Sequence, residues 1–166
     1  MACLMKKALF PGTFDPPTLG HVDIIRRSTT ICDKLYVGIA INTTKTNDLF
    51  SAQEKESMLK TICKPFPHAE VVRFSTLAVD FAKQHQVDFL LRGLRAFSDF
   101  EYEFRMALAN RKLSGIETVF LMADERVGHI SSTLIRELGR FKSRLHDFVP
   151  QEIEELIFQR VSKSTP

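Results

Sequence analysis

Short continuous runs of apolar residues alternate along the chain with segments in which apolar residues recur every three or four positions. The continuous runs predict five strands, over residues 4–10, 35–41, 70–74, 87–91 and 119–122. Strands that are apolar on both faces are typical of a parallel sheet buried beneath helices. The alternation therefore predicts an α/β fold, a Rossmann-like doubly wound five-stranded parallel sheet with helices on both faces.

Polar residues with capping spacing mark where the predicted helices begin. Helical patterns begin near Thr18, Ser51, Leu77, Ser98, Ser131 and Pro150. Thr18 is expected to cap the first helix, and both Ser51 with Glu54 and Ser98 with Glu101 have the spacing of a capping box. These residues set the expected positions of the helix N-termini.

The fourth and the last predicted helices carry clear apolar stripes. The fourth has Phe97, Phe100, Phe104 and Leu108, with Gly115 placed as its C-cap. This stripe is predicted to lie in the core, although a subunit partner could cover part of it instead. The last helix has Ile153, Leu156, Ile157 and Val161 on one side. Residues 162–166 are expected to form a loose tail.

The size and charge of the chain narrow the class of protein. A chain of 166 residues predicts one domain that spans residues 1–166. A net charge of +3 is not typical of a nucleic-acid binder. No stretch approaches the roughly 18 apolar residues of a membrane helix. Three cysteines far apart indicate neither a disulfide framework nor a zinc site, so Cys32 and Cys63 are expected to be packing residues and the cytoplasm the location.

Hydrogen-bond donors, cations and glycines follow four of the five predicted strands. They are Thr13, Asp15, Gly20 and His21 after the first, Lys45 after the second, Arg92, Gly93 and Arg95 after the fourth, and Ser131, Ser132 and Thr133 after the fifth. Ligands of open α/β sheets bind outside the carboxyl ends of the strands. These residues therefore predict a phosphate-binding cleft at that edge of the sheet.

The loop after the first strand has the chemistry of an anion site. The free N–H groups and the dipole of a helix that begins at Thr18 attract a phosphate, and Gly20 leaves room for it. His21 can donate an imidazole N–H, and its charge is expected to be adjustable near neutral pH. Asp15 with Pro16 predicts an Asx-type turn that fixes the loop. The alternative is an ordinary capped helix with an exposed histidine.

Other nucleotide and nucleophile motifs do not occur in the chain. It contains no G-x-x-x-x-G-K-[ST], no G-x-G-x-x-G and no G-x-S-x-G. The expected chemistry therefore depends on positioning and charge and forms no covalent intermediate with the enzyme.

Three segments together resemble one enzyme family. Gly12 to Pro16 and Thr18 to His21 match the Gly-Thr-Phe-Asp-Pro and Thr-x-Gly-His signature of the T/H-x-G-H nucleotidyltransferase superfamily. Arg92 to Arg95 with Asp99 to Glu103, and then Ile130 to Thr133, are similar to bacterial-type phosphopantetheine adenylyltransferases. The resemblance covers about residues 5–160, and the three segments in this order are strongly specific.

The resemblance implies an activity and a set of site residues. Such enzymes reversibly transfer AMP from ATP to 4′-phosphopantetheine, giving 3′-dephospho-coenzyme A and pyrophosphate. The implied catalytic residues are Thr13, His21, Lys45 and Arg92. The implied ATP site comprises Thr13, Phe14, His21, Gly93, Leu94, Arg95, Glu103, Val127, Gly128, His129, Ile130, Ser131, Ser132 and Thr133. The implied phosphopantetheine site comprises Thr13, Lys45, Leu77, Ala78 and Arg92.

The resemblance also implies a cofactor and an assembly. Mg²⁺ is expected to be carried by the ATP phosphates rather than by a protein cage, because the sequence shows no carboxylate cluster. A homo-hexamer is implied, with coenzyme A as a product-like inhibitor. Phe10, Asn42 to Thr44, and Val127 depart from the family pattern and are expected to affect affinity rather than the reaction.

Two other functions stay open from the residues alone. One is a nucleotidyltransferase for another small phosphate acceptor, such as nicotinamide mononucleotide, which the segment Arg92 to Arg95 disfavours. The other is a non-catalytic nucleotide-binding module, which would leave His21, Lys45 and Arg92 without a common purpose. A pyrophosphate-release assay separates these functions.

Overall fold

The computed structural model describes residues 5–41 and 48–163, apart from the side chains of residues 97 and 98. Strands and helices alternate along this part of the chain. The strands are β1 (Lys7–Gly12), β2 (Lys34–Ala40), β3 (Ala69–Phe74), β4 (Phe89–Leu94) and β5 (Glu117–Met122). The helices are α1 (Leu19–Ser28), α2 (Ala52–Cys63), α3 (Ala78–Gln84), α4 (Phe97–Ser114), α5 (Ser132–Arg140) and α6 (Gln151–Lys163).

The five strands form one parallel sheet in the order β3-β2-β1-β4-β5, which confirms the predicted fold. The strands β2 and β3 lie on one side of β1, and β4 and β5 lie on the other. The topological switch point therefore lies between β1 and β4, at their carboxyl ends. β1 pairs with β2 along its whole length but with β4 only at Ala8↔Phe89 and Leu9↔Leu90. The two strands therefore separate towards their carboxyl ends and leave a crevice there.

Helices pack on both faces of the sheet, as the apolar strands predict. The larger core cluster includes Ile25 of α1, Leu59 of α2 and Ile157 of α6. The smaller cluster, on the opposite face, packs Val79 and Ala82 of α3 against the sheet. Right-handed crossovers account for this division, because the chain passes from β1 to β3 in one direction and then returns to β4.

Two strands extend further at their carboxyl ends than the apolar pattern predicts. β1 continues through Pro11 and Gly12, where the sequence predicts its end, and β4 continues to Leu94 rather than stopping at Leu91. Pro11 has no N–H for a ladder, and the pairing of β1 with β4 ends before it, at Leu9. Arg92 and Gly93 therefore lie inside β4 rather than after it.

Most of the predicted helix caps are confirmed. Thr18, Ser51 and Ser131 are N-caps whose side chains accept a backbone N–H, and Ser51 forms a full capping box with Glu54. Gly115 closes α4 in the left-handed conformation, with φ of 74°. The capping box predicted at Ser98 is wrong, because α4 begins earlier, at Phe97, with Ala96 in the cap position.

The aromatic stripe of α4 does not lie in the core of the protomer, so that prediction is wrong. Phe100, Phe104 and Leu108 are each more than two-fifths exposed. The half-buried positions of α4 form a different stripe, Asp99, Glu103, Ala107, Asn110 and Ser114. The helix therefore turns small and polar side chains inward and leaves an apolar face outward.

The last helix extends beyond its predicted end, and the two described cysteines are buried. Ile153, Ile157 and Val161 of α6 are buried as predicted, whereas Leu156 is exposed. α6 runs to Lys163, so a loose tail beginning at residue 162 is wrong, and residues 164–166 lie outside the described part. Cys32 and Cys63 are buried, as expected of packing residues, and burial raises the pKa of both thiols to about 11.

Candidate active site

A cavity of about 470 Å³ opens in the crevice where β1 and β4 separate. Four segments form its walls: the loop after β1, the first turns of α1, the end of β4 with the start of α4, and the loop that leads into α5. Of the predicted site residues, those lining it are Thr13, His21, Arg92, Gly93, Arg95, Glu103, Ile130, Ser131, Ser132 and Thr133. The predicted cleft thus exists at the expected edge of the sheet.

The other predicted site residues lie elsewhere. The cavity wall does not include Phe14, Leu94, Val127, Gly128, His129, Leu77 or Ala78. Phe14 is buried beneath the loop with φ of 48°, and Leu94 is buried at the end of β4. Lys45 and the Asn42 to Thr44 departure lie outside the described residues. The roles given to all of these residues stay predictions.

His21 forms part of the N-terminal cap of its own helix. The backbone N–H of Thr18 donates to His21 Nδ1 at 3.0 Å, and the N–H of His21 donates to Thr18 Oγ1 at 3.3 Å. A backbone N–H can only donate, so Nδ1 must accept and carries no proton in the neutral ring. The capping box therefore places the imidazole proton on Nε2, and the His21 side chain lines the cavity.

His21 stays neutral at physiological pH. Burial, and then the positive charges of Arg95 and Arg92, lower its pKa from 6.5 to about 4. An imidazole with this pKa donates a hydrogen bond through Nε2 but does not carry a charge at pH 7. The expectation of an adjustable charge near neutral pH is therefore wrong for the free protein, because burial and then the two arginines disfavour the charged ring and lower its pKa.

Two phenylalanines hold the imidazole ring in place. The ring of Phe14 lies 4.9 Å from the ring of His21, and the ring of Phe10 lies 6.1 Å from it. Phe10 and Phe14 also pack edge to face, with ring centres 5.6 Å apart. Phe10 lines the cavity, so this departure from the family pattern presents an apolar ring there.

Three arginines line the cavity, and each is paired with a carboxylate. Arg92 forms a two-pronged ion pair with Glu103. Arg95 Nε donates to Asp99 at 3.0 Å, and Arg136 Nη1 donates to Asp15 at 3.1 Å. Such pairs fix each guanidinium while leaving some of its five N–H groups for a ligand. Arg136 was not among the predicted site residues, since a single arginine on a helix has no distinguishing signal in the sequence.

Asp15 joins the loop after β1 to two other parts of the chain. Its buried carboxylate accepts the backbone N–H groups of Leu49 and Phe50 at 2.8 and 2.9 Å, and it also binds Arg136. Lys55 Nζ lies 3.7 Å from the same carboxylate. The predicted Asx turn is wrong in its partners, because these bonds are long-range and not local to the loop.

The loop before α5 contributes hydroxyl groups with different functions. Ser131 Oγ accepts the N–H of Leu134 at 3.0 Å as the N-cap, so its own O–H proton remains available to a ligand. Ser132 Oγ, in the first residue of α5, donates to the carbonyl of Pro16 at 2.8 Å and thereby ties the start of α5 to the loop after β1. Both walls of the cavity are therefore braced against each other.

The described residues contain no group of three or more histidine, cysteine, aspartate or glutamate side chains arranged to hold a metal ion. The carboxylates at the cavity, Asp15, Asp99 and Glu103, are those that bind the arginines.

No helix in the described part of the chain is both long enough and apolar enough to cross a membrane.

Comparisons with known proteins identify the class first. A cytidylyltransferase-like family model matches residues 9–138. A solved structure from Vibrio parahaemolyticus, proposed to be a nicotinate-nucleotide adenylyltransferase, has a TM-score of 0.67 at 16% identity over 93% of this chain and 99% of its own, which shows the fold. The family model therefore places the chain in the cytidylyltransferase-like class, and the solved structure has the same fold.

The curated relatives then narrow this class to one family. The phosphopantetheine adenylyltransferase of Caldanaerobacter subterraneus subsp. tengcongensis is 44% identical over 96% of this chain and 100% of its own. That of Moorella thermoacetica is 45% identical over 94% of this chain and 98% of its own. The chain belongs to the phosphopantetheine adenylyltransferase family and is an enzyme.

Proposed function

We propose that this enzyme transfers the adenylyl group of ATP to the phosphate of 4′-phosphopantetheine, forming 3′-dephospho-coenzyme A and pyrophosphate. The identity of more than 40% to adenylyltransferases along nearly the whole chain carries this proposal. The cavity supports it, because a neutral histidine donor and paired arginines at one cleft suit two phosphates that must be held together.

The reaction is a direct in-line displacement. An oxygen of the acceptor phosphate forms a bond to the α-phosphorus of ATP while the bond from that phosphorus to the pyrophosphate oxygen breaks. Negative charge on the α-phosphate oxygens is then stabilised by donors that are already in place. His21 Nε2–H is such a donor, since Thr18 fixes its proton and the two phenylalanines fix its ring.

The residue roles follow the resemblance and the positions in the cavity. On the acceptor side, Thr13, Lys45 and Arg92 bind the phosphate, and Leu77 and Ala78 lie near the pantetheine arm. On the ATP side, the residues are Thr13, Phe14 through its backbone, His21, Gly93, Leu94, Arg95 and the segment Val127 to Thr133, and the resemblance adds Glu103. The free O–H of Ser131 is well suited to a phosphate oxygen.

Mg²⁺ is proposed to enter with ATP. The cavity carboxylates each pair with an arginine, so they do not form the open oxygen cage that a protein-held ion requires. The ATP phosphates would hold most of the ion's coordination shell, and the ion would neutralise part of their charge. Arg95 and Arg136, which line the cavity, would share that neutralisation.

We propose that the protomers assemble into a homo-hexamer and that the outward face of α4 lies in a contact between protomers. Tyr102, Phe104, Met106, Leu108 and Leu113 are all at least two-fifths exposed, which is a large apolar surface for an isolated protomer. Size-exclusion chromatography with light scattering tests this, and Phe104→Glu should shift the protein to smaller species. A monomeric wild type would refute the assembly.

The proposed location of the enzyme follows from its cysteines. Two buried free thiols suit a reducing compartment, and the cytoplasm is the proposed location.

Coenzyme A, which contains the product's structure, is proposed to compete with phosphopantetheine. Product inhibition by coenzyme A in the forward assay tests this competition, and inhibition that saturating phosphopantetheine does not relieve would contradict it.

The decisive experiment is a pyrophosphate-release assay with ATP, Mg²⁺ and 4′-phosphopantetheine, run beside nicotinamide mononucleotide as acceptor. Pyrophosphate and the mass of 3′-dephospho-coenzyme A are expected with the first acceptor alone. Release with nicotinamide mononucleotide only would favour the alternative acceptor. ATP binding without release with any acceptor would indicate a non-catalytic module.

A further inference from the structure

The loop between β5 and α5 forms part of one wall of the cavity. Ala123 at its start and Ile130 near its end both line the cavity. The loop passes over the first turn of α1, where a Cβ on Gly20 would lie 3.7 Å from the carbonyl oxygen of Val127 and 3.9 Å from that of Ile130. The position of this wall therefore depends on how the loop is held against α1, the helix that carries His21.

Two side chains of α1, Asp23 and Arg27, bind the chain where this loop begins. Arg27 Nη1 donates to the carbonyl oxygen of Met122, the last residue of β5, at 2.6 Å, and to Asp23 Oδ2 at 3.0 Å. The same carboxylate oxygen accepts the backbone N–H of Asp124 at 3.4 Å. The helix therefore holds the chain at two points, one on each side of the first residue of the loop.

Asp23 is a buried carboxylate that its arginine partners keep ionised. Its side chain is 6% exposed, and Arg26 Nη2 donates to its other oxygen, Oδ1, at 2.7 Å. Burial by itself raises the pKa of a carboxyl group, but the hydrogen bonds from Arg26 and Arg27 lower the pKa of Asp23 below its ordinary value. Neither Asp23 nor Arg27 lines the cavity. The pair therefore contacts the loop from outside the cavity.

We propose that Asp23 and Arg27 are positioning residues, which clamp the loop between β5 and α5 on α1 and so hold the ATP side of the cavity in place. This inference rests on the proposed function, which assigns the segment Val127 to Thr133 to the ATP side. Without the clamp, the loop is in place in only a fraction of the molecules, and the apparent Kd for ATP rises as that fraction falls. ATP binding then restores the position of the loop, so the complex with ATP turns over at the same rate.

Two neighbouring arginines provide a matched test of the clamp. Arg27→Met keeps the aliphatic stem of the side chain and removes the bonds to both Asp23 and Met122. Arg26→Met is the control, because Arg26 donates to Asp23 but not to Met122. Each variant loses one positive charge, so the long-range attraction for ATP changes alike in both. We expect the calorimetric Kd for ATP to rise about 10-fold in Arg27→Met and less than about 2-fold in Arg26→Met.

Separate measurements of binding and turnover distinguish the clamp from a general loss of structure. In Arg27→Met, the Kd for 4′-phosphopantetheine and the kcat at saturating ATP should stay within about 2-fold of wild type. An equal rise of the Kd values for both substrates would overturn the proposal. So would an unchanged Kd for ATP, or the same rise in both arginine variants.

Asp23→Asn tests the other member of the clamp. Asparagine keeps the size of the side chain, but its NH₂ group meets one of the donors that the carboxylate accepts. The Kd for ATP should rise as in Arg27→Met, and the double variant should show little further rise, because both residues act through the same loop. Rises that multiply in the double variant would contradict a shared clamp.

Amide hydrogen exchange tests the clamp without any substrate. The N–H of Asp124 donates to Asp23, so it should exchange at least about 10-fold faster in Arg27→Met than in Arg26→Met. Equal exchange in the two variants would overturn the proposal, and this comparison decides the matter even if Asp23→Asn fails to fold. If wild type releases no pyrophosphate, the proposed function fails, whereas the exchange at Asp124 still shows whether the clamp exists.

Discussion

His21→Gln separates the helix-capping function of His21 from its titration. Glutamine is a usual residue at the third helical position of a capping box, so it can accept the Thr18 N–H as the imidazole does. Unlike histidine, it takes up no proton between pH 4 and 8. The variant should therefore retain the start of α1 and lose only the pH dependence that His21 contributes to stability.

The size of this effect follows from the pKa of His21. An unfolded chain protonates this histidine around pH 6.5, whereas burial, Arg95 and Arg92 delay protonation in the folded protein to about pH 4. Unfolding therefore takes up a proton in this window. The contribution to stability is complete above pH 6.5 and is lost as the pH falls towards 4. At pH 5 the loss amounts to about 2 kcal/mol.

Urea unfolding of both proteins at pH 8 and pH 5 provides the measurement. The free energy of unfolding of wild type should fall by about 2 kcal/mol more than that of His21→Gln over this interval. Other titrating groups are shared by the two proteins, so their contributions cancel in the difference. Equal pH dependence in wild type and variant would show that His21 titrates normally, and the derivation of a neutral imidazole would then be refuted.

Three further predictions concern turnover, substrate binding and packing. His21→Ala should retain ATP binding and lower kcat by about 10²–10³-fold, as loss of a transition-state donor does, and near-wild-type turnover would eliminate this role. Arg92→Ala should weaken the calorimetric affinity for 4′-phosphopantetheine far more than that for ATP, and equal losses would place Arg92 outside the acceptor site. Gly139→Ala should lower the free energy of unfolding in urea by about 1–3 kcal/mol through overpacking, because a Cβ there would lie 2.0 Å from Val161 Cγ2. Val161→Ala in the same chain should recover part of that loss, and additive losses would contradict the clash.

The local parts of the fold could be predicted from the sequence. The parallel sheet follows from apolar runs that alternate with helices, and Thr18 and Ser131 are recognisable caps because capping depends on residues three positions apart. The cleft could be placed for the same reason, since parallel strands bring their carboxyl ends to one edge.

The long-range contacts could not be predicted. Nothing in the sequence pairs Asp15 with the backbone N–H of Leu49, because any residue could supply that N–H. Nothing pairs Arg92 with Glu103 either, because each is an ordinary charged residue in the sequence. On α4, periodicity shows which residues share a face but not which face meets the sheet. The aromatic stripe is the more apolar one, yet the stripe that includes Glu103 packs inward.

The capping box at Thr18 links the dynamics of α1 to the readiness of the site. The same N–H that begins the helix fixes the proton of His21 on Nε2, so fraying of the first helical turn would release both together. Amide hydrogen exchange at Thr18 therefore reports the fraction of molecules whose imidazole is correctly set. A substitution that opens the cap in a given fraction of the molecules should lower turnover by that fraction, even where it touches neither substrate.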